Sequence, residues 1–337
     1  MKKNDILIIA EVGQNHQGDL NLAREYIKVF SSEGADVIKF QNRDIKYLFS
    51  KDAYDQPYTN RNAFGDTYGV HREALEFSPD ELRILRDDCH HHGVKFMCTP
   101  FDEPSVQILS ELNVDYIKIA SFDLGNLPLI NNIGKIGVPV FISIGGGQYD
   151  QIESSVQTLR EHSVDVTVLH CVSEYPCQID HLGLSNLKVL VEKLPDCTIG
   201  LSDHFNGTLS GPIAYLEGAR VFEKHVTMNR SWKGTDHSFA LERDGFRRFV
   251  RDIKRVPLMF KQKPTEDLGN EYVFSKLGKS IVAKDDIVKG SKLSLSNISG
   301  KVFRETIVPI RMCNQFIGQR INKDLKKGQP INFDDIC

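Results

Sequence analysis

Eight short runs rich in Val, Ile and Phe, separated by amphipathic stretches, constrain the fold of this 337-residue chain more than any other feature. Most of the runs are nearly continuous in apolar residues, which is typical of parallel strands that are buried on both faces. The predicted strands are Ile6–Ala10, Asp36–Phe40, Val94–Cys98, Tyr116–Ala120, Val138–Ser143, Val164–His170, Cys197–Leu201 and Arg220–His225.

Helical patterns fill most of the gaps between these runs, and each meets Gly, Pro or Asn before the next strand. The predicted helices are Leu20–Gly34, Ser78–Gly93, Glu103–Leu112, Leu127–Ile136, Gln151–Glu161, Asn186–Leu194 and Ser210–Gly218. Eight strands alternating with helices over about 250 residues predict a (β/α)8 TIM barrel, which we assign to residues 1–260. A doubly wound sheet is the alternative, but no Gly-rich nucleotide-binding fingerprint supports it.

Two segments depart from this alternation. Residues 42–77 form a long connection with little periodicity, and such a connection at the carboxyl end of a barrel strand is more often an active-site lid than a surface insertion, which is the alternative. Residues 261–278 read as a polar linker. Residues 279–337 contain short apolar units and a turn at Lys289-Gly290, which predict a small β-rich domain.

The composition excludes several classes of function. Lys and Arg number 42 against 45 Asp and Glu, so no basic excess favours nucleic acid or an anionic membrane as a partner. The sequence has no secretory h-region and no apolar run long enough to span a bilayer. The seven cysteines are scattered without paired spacing, which predicts reduced thiols and a cytoplasmic location.

Polar residues occur where every predicted strand ends. The carboxyl ends of barrel strands form the active face, and an unpaired charge beside buried strands is costly, so this placement favours a functional site. The strand-end residues are Glu11, Lys39, Gln41, Thr99, Lys118, Ser121, Asp123, Ser143, His170, Ser173, Glu174, Tyr175, Ser202, Asp203, His204, Glu223, Lys224 and His225.

Five of these residues suggest specific chemistry. Lys39 and Lys118 interrupt apolar strands and are candidates for binding a phosphate or carboxylate substrate, or else they are counter-ions of barrel carboxylates. His204 and His225 end adjacent strands and are candidate ligands of a divalent metal, or else hydrogen-bonded core histidines. Glu11 is a candidate for moving protons or positioning water, with a lysine counter-ion as its alternative role.

Eight segments, taken together and in order, resemble the sialic acid synthase (N-acetylneuraminate synthase) family. The matching segments are Ala10–Gly18, Ile38–Gln41, Cys98–Asp102, Tyr116–Asp123, His170–Pro176, Ile199–His204, Phe222–His225 and Gly234–Leu241. Lys279–Gly290 resembles the start of the antifreeze-like (SAF) domain of this family.

The resemblance implies a nonulosonate synthase that condenses phosphoenolpyruvate with an open-chain N-acyl hexosamine aldehyde and releases phosphate by C–O cleavage. It implies a divalent metal, Mn²⁺ or Mg²⁺, on His204 and His225, and Glu11 as the general acid or base. The implied phosphoenolpyruvate-binding residues are Lys39, Thr99, Lys118, Ser121, Ser143, Ser173 and Ser202. The implied sugar-binding residues are Gln41, Asp123, Tyr175 and Asp236.

The resemblance further implies a domain-swapped homodimer, in which an Arg-Pro-Gly segment of the small domain supplies an arginine to the N-acyl group. Lys301–Glu305 stands in that place here, so either Arg304 substitutes through a shifted loop or the contact is absent. The same chemistry on a non-acylated or phosphorylated aldose is therefore an alternative. A non-catalytic carbohydrate-binding protein is an alternative of another class.

Overall fold

The structure, a computed structural model, describes residues 5–269 and 271–337. The chain divides into two compact units, residues 1–260 and residues 261–337, each with its own apolar core. Within the described residues, no helix is long and apolar enough to cross a membrane.

The first unit is a closed barrel of eight parallel strands, so the predicted (β/α)8 fold is confirmed. Each strand pairs with its neighbour in sequence, and β1 pairs with both β2 and β8 to close the barrel. The strands β1 to β8 are Leu7–Glu11, Val37–Asn42, Lys95–Pro100, Tyr116–Ile119, Val140–Ser143, Val166–Cys171, Thr198–Asp203 and Val221–His225.

Several strands extend further toward their carboxyl ends than the sequence predicts. β2 continues through Gln41 and Asn42, and β7 continues through Ser202 and Asp203. The apolar residues stop before the strand does, because hydrogen bonding between strands needs only backbone groups and continues through the polar residues. The polar residues at these ends therefore lie on the rigid sheet, which fixes their positions better than a loop would.

In the described part of the chain, eight helices of seven residues or more surround the barrel, and seven of them were predicted. They are Leu20–Ser32, Pro79–His91, Glu103–Leu112, Leu127–Gly134, Tyr149–Arg160, Asn186–Lys193, Ser210–Leu216 and Arg243–Met259. The start of Pro79–His91 is a capping box, in which Ser78 and Glu81 satisfy each other's backbone N–H groups. Arg243–Met259 was missed because its sequence is dominated by charge, although Phe246, Phe249 and Ile253 form a buried stripe.

The connection at residues 42–77 is folded around an aromatic cluster. It contains three short helices, Ile45–Leu48, Lys51–Tyr54 and Tyr68–Glu73. His71 is buried in the cluster, with its ring centroid 4.6 Å from that of Tyr58.

The interior of the barrel contains two successive sets of side chains. Because side chains alternate along a strand, residues two apart on each strand both face inward. The first set, here called the apolar zone, consists of Ile9, Val37, Met97, Tyr116, Phe141, Leu169, Gly200 and Val221. The set two residues further along, here called the polar zone, consists of Glu11, Lys39, Thr99, Lys118, Ser143, Cys171, Ser202 and Glu223.

The second unit is built around an antiparallel pair of strands, β9 (Lys279–Ala283) and β10 (Ile298–Val302), together with isolated bridges. The predicted turn at Lys289-Gly290 uses Gly290 at φ +85°, a backbone conformation that favours glycine. Its core consists of Ile281, Ala283, Ile287, Leu293, Ile298, Val308, Phe316, Ile321, Leu325 and Ile331.

Candidate active site

A cavity of about 280 Å³ opens at the carboxyl ends of the barrel strands. This is the end of a TIM barrel at which active sites are built. Eleven of the residues with a predicted role line it. They are Lys39, Gln41, Thr99, Lys118, Ser121, Ser143, Tyr175, Ser202, His204, His225 and Asp236.

Four residues with a predicted role lie elsewhere. Glu11 is buried and does not line the cavity, but it accepts a 2.7 Å hydrogen bond from Nε2 of Gln41, which does. Asp123 lies in a 3₁₀ turn and accepts a 3.0 Å hydrogen bond from Asn126, outside the cavity wall. Ser173 is also outside the wall, although a Cβ added to Gly145 would come within 2.4 Å of its hydroxyl. Arg304 is an exposed residue of the second unit, and its role stays a prediction.

The two lysines of the polar zone form a buried ion cluster with two carboxylates. Lys39 Nζ lies 3.2 Å from Glu11 Oε2 and 3.2 Å from Glu223 Oε1. Lys118 Nζ lies 3.8 Å from Glu223 Oε1, which also accepts a 2.9 Å hydrogen bond from Ser202. Each lysine has a barrel carboxylate as a neighbour, which is the counter-ion role considered for it. Each also lines the cavity, and its role in binding an anionic substrate stays a prediction.

The carboxylates of this cluster differ in acidity. Burial raises the pKa of Glu11 to about 7 against the lowering effect of the Lys39 charge. Burial also acts to raise the pKa of Glu223, but the charges of Lys118 and Lys39 outweigh it and the pKa is lowered. Glu223 thus stays ionised and holds both lysines, while Glu11 is able to gain or lose a proton near neutral pH.

Burial and charge also shift the pKa values of the lysines in opposite directions. Burial acts to lower the pKa of Lys39, but Glu11 and Glu223 outweigh it and the pKa is raised. Burial lowers the pKa of Lys118, and the opposing charge of Glu223, 3.8 Å from its Nζ, does not outweigh it.

Several buried polar atoms in the cavity wall have no hydrogen-bond partner among the residues that the structure describes. They include the hydroxyls of Thr99 and Ser143, Glu223 Oε2 and His225 Nδ1. An unsatisfied buried polar group costs about 1–3 kcal/mol. Their convergence on one cavity indicates that a ligand with several polar atoms completes the site.

The two histidines are neighbours, with ring centroids 5.4 Å apart. His204 Nδ1 lies 2.7 Å from the Val172 carbonyl, so the neutral ring donates from Nδ1 and keeps the lone pair of Nε2. Burial acts to lower the pKa of His204, but its contacts with Cys171 raise it. Burial holds the pKa of His225 well below its usual range, so this ring is neutral, the form that binds metal.

A fully buried ion pair on the outer side of the barrel supports the strand ends that carry these histidines. Lys224 Nζ lies 2.6 Å from Asp203 Oδ2. Asp203 also accepts hydrogen bonds from Ser210 and from the backbone N–H of Phe205. Because Asp203 precedes His204 and Lys224 precedes His225, the pair holds both histidines in place.

The structure adds cavity residues to which the sequence assigned no specific role. They are Gln14, Arg43, Arg72, Phe101, Ala120, Phe122, Cys171, Glu223 and Thr235. Arg43 had a detectable signal, since it continues the two-residue period of Lys39 and Gln41 along β2. Arg72 had none, because it comes from the connection at residues 42–77, where the sequence shows no periodicity.

Comparison with known proteins places this site in a family of synthases. The profile of the NeuB family matches residues 26–264, and the chain belongs to this family. These matches confirm the predicted family and the predicted class of enzyme, a phosphoenolpyruvate-dependent synthase.

Three relatives illustrate the match. The chain is 35% identical to the N-acetylneuraminate-9-phosphate synthase of Homo sapiens, over 93% of this chain and 88% of that protein. It is 32% identical to the N,N'-diacetyllegionaminic acid synthase of Campylobacter jejuni, over 98% of this chain and 99% of that protein. The crystal structure of the N-acetylneuraminic acid synthetase of Leptospira borgpetersenii, in complex with citrate, superposes with a TM-score of 0.70 at 29% identity and covers 82% of this chain and 93% of that chain.

Proposed function

We propose that this protein condenses phosphoenolpyruvate with an open-chain N-acyl hexosamine, forming a nonulosonate and inorganic phosphate. The observation that carries the proposal is the polar zone, where Lys39 and Lys118 meet the unpartnered hydroxyls of Thr99 and Ser143 in one cavity. The relatives named above are synthases of nonulosonates, which supports a product of this class.

Phosphoenolpyruvate carries a phosphate and a carboxylate, and the polar zone has donors for both. Lys39 and Lys118 supply charge, while the hydroxyls of Thr99 and Ser143 are donors with no hydrogen-bond partner in residues 5–269 and 271–337. Protonation of Glu11 leaves one carboxylate, Glu223, between two ammonium groups, and the resulting positive charge favours the anion.

We further propose that His204 and His225 hold a divalent metal, Mn²⁺ or Mg²⁺. The donor set fits such an ion in part: His225 is neutral with an unpartnered Nδ1, and His204 keeps one ring nitrogen free. Within residues 5–269 and 271–337, no cluster of three or more His, Cys, Asp or Glu side chains forms a closed metal site, so the remaining positions fall to water and substrate. When bound, the ion supplies Lewis-acid polarisation of the aldehyde.

The reaction forms a bond from the enol carbon of phosphoenolpyruvate to the aldehyde carbon, and the aldehyde oxygen takes a proton. Water then adds to C2 of the former enol, and the C2–O bond to phosphate breaks. Glu11, with a pKa of about 7, is suited to take the proton that the attacking water loses. Gln41 and Asp236 face the acceptor sugar from the cavity wall, and Gln41 also links that side to Glu11.

The test uses the purified full chain with MnCl₂, phosphoenolpyruvate and a panel of N-acyl and non-acylated hexosamines. We expect release of phosphate together with a 2-keto acid, and the loss of both on chelation with restoration by Mn²⁺. With phosphoenolpyruvate carrying ¹⁸O at the bridging position, C–O cleavage places the label in phosphate. Absence of turnover with every acceptor contradicts the proposal, and label in the keto acid contradicts the C–O step.

The carbohydrate-binding alternative makes the opposite prediction. It requires sugar binding that needs no phosphoenolpyruvate and that survives in the His204→Ala, His225→Ala double variant. Titration calorimetry of both proteins with each sugar decides between them. The homodimer and the part of Arg304 in it stay predictions from the sequence.

A further inference from the structure

The mouth of the cavity carries two guanidinium groups that the proposed condensation leaves unused. Arg43 follows β2 directly and lies on the same side of that strand as Lys39 and Gln41, which are four and two residues before it. Arg72 comes from the short helix Tyr68–Glu73 within the 42–77 connection. Both side chains line the cavity.

Arg43 is held rigidly. Its side chain is only 9% exposed, and its guanidinium lies 3.7 Å over the ring of Phe101. Nη1 donates to Glu76 Oε1 at 3.0 Å, and Nη2 donates to Gln41 Oε1 at 2.6 Å. These bonds use two of the five N–H groups of the guanidinium and fix its plane.

Arg72 is held by neutral acceptors. Its Nη1 donates to Gln14 Oε1 at 2.8 Å, and its Nε and Nη2 donate to the Tyr68 hydroxyl at 3.0 and 2.7 Å. In the described part of the chain, no carboxylate lies within ion-pair distance of it. Its charge is therefore not neutralised, whereas that of Arg43 is paired with Glu76.

The two guanidinium charges interact. Burial lowers the pKa of Arg43, and the positive charge of Arg72 lowers it further. The negative charge of Glu76 acts in the opposite direction. Two cations with one carboxylate leave a net positive charge, and the N–H groups not used within the chain are in a rigid fork. This combination is the usual recognition element for a phosphate dianion.

We propose that Arg43 and Arg72 form a binding subsite for a phosphate monoester at the far end of the acceptor, so that the acceptor is an N-acyl hexosamine 6-phosphate. The proposal rests on the proposed function and names its acceptor. The backbone of Arg43 lies four residues beyond that of Lys39, about 13 Å along the strand at the usual rise. The side chains of Gln41 and Glu11 lie between the two charged groups and link them by two hydrogen bonds and an ion pair. A six-carbon acceptor that extends from the reacting aldehyde past Gln41 is long enough to place its terminal phosphate at Arg43.

The test compares kcat/KM for an N-acyl hexosamine and its 6-phosphate, with KM for phosphoenolpyruvate measured alongside. The variants are Arg72→Gln, the charge-retaining Arg72→Lys, and Arg61→Gln as a matched control from an exposed site of the same connection. Wild type should prefer the 6-phosphate. Arg72→Gln should lower the ratio of the two kcat/KM values by about 10- to 100-fold, the effect of losing charged hydrogen bonds. Arg72→Lys should restore part of it, and Arg61→Gln should leave it unchanged.

Three results overturn the inference while leaving the proposed function standing: turnover of the free sugar with no preference for the phosphate, equal losses on both acceptors in Arg72→Gln, or a raised KM for phosphoenolpyruvate with an unchanged acceptor ratio. The last would assign the arginine to the phosphate of phosphoenolpyruvate. If wild type turns over neither acceptor, the proposed function fails, and the inference fails with it.

Discussion

The apolar and polar zones of the barrel occupy the same eight strands, two residues apart, and differ completely in chemistry. Val37 and Lys39 share one strand, as do Val221 and Glu223, and all four side chains are almost fully buried. In the apolar zone, burial releases water from hydrocarbon and stabilises the fold. In the polar zone, burial removes water from charged groups, which costs free energy unless each charge has a partner of opposite sign.

This contrast shows how one scaffold separates stability from function. The strand alternation that orients the apolar zone also orients the polar zone, so the groups of the site inherit their positions from a core that does not react. The unpartnered hydroxyls and the raised pKa of Glu11 are local costs at the polar end. The apolar zone and the helix-facing core offset them.

The largest effect is expected when a charged side chain is placed in the apolar zone. Met97 is fully buried among Val37 and Phe141, with no carboxylate in this zone to pair with a cation. We expect Met97→Lys to lower the free energy of unfolding by on the order of 5 kcal/mol, enough to abolish soluble expression of a marginal protein. Urea-induced unfolding measures the loss. Met97→Leu, which conserves volume, should cost less than about 1.5 kcal/mol. A Met97→Lys protein as stable as Met97→Leu would refute the distinction between the zones.

A second comparison concerns the two faces of β8. Glu223 faces the cavity, whereas Lys224 faces the helices outside the barrel. Removing Lys224 leaves Asp203 buried without its cation, so Lys224→Met should lower the free energy of unfolding by about 3–5 kcal/mol. Replacing the pair together, with Asp203→Asn added, should recover part of that loss because no unpaired charge remains. The exposed Lys28→Met should cost less than about 1 kcal/mol. Equal losses in Lys28→Met and Lys224→Met would contradict this account.

The apolar zone and the polar zone also differ in how readily sequence predicts them. The eight β-branched runs determine the barrel, because a two-sided buried strand leaves a strong apolar signal, and the polar interruptions at Lys39 and Lys118 mark the site. The pairing of both lysines with Glu223 could not be predicted in detail, because it depends on the register between the barrel strands, which the sequence does not show. Arg72 was missed for a different reason, because only tertiary packing of the 42–77 connection brings it to the cavity.

Activity and stability should separate within the polar zone itself. Lys118→Met removes a cation from the cavity, but Glu223 keeps Lys39 as its partner. We expect kcat/KM for phosphoenolpyruvate to fall by about 10²- to 10³-fold while the free energy of unfolding stays within about 1 kcal/mol of wild type. Steady-state phosphate release and urea unfolding on the same preparation measure both. Lys95→Met on the exposed part of β3 is the control and should change neither by much. A collapse of stability in Lys118→Met would mean that the polar zone is itself part of the core.

The smallest effect concerns a proton rather than a side chain. Because the pKa of Glu11 is raised from 4.5 to about 7 in the folded protein, the native state keeps a proton that the unfolded chain releases between these values. Wild type therefore loses stability through this group as the pH rises from 4.5 to 7, by about 3 kcal/mol in all. Glu11→Gln removes the dependence, so the stability of the variant relative to wild type should rise between pH 5 and pH 8. The exposed Glu25→Gln should show no such change. If the difference in free energy of unfolding between wild type and Glu11→Gln does not change from pH 5 to pH 8, Glu11 does not titrate in that range. The charge of the polar zone would then be constant near neutral pH.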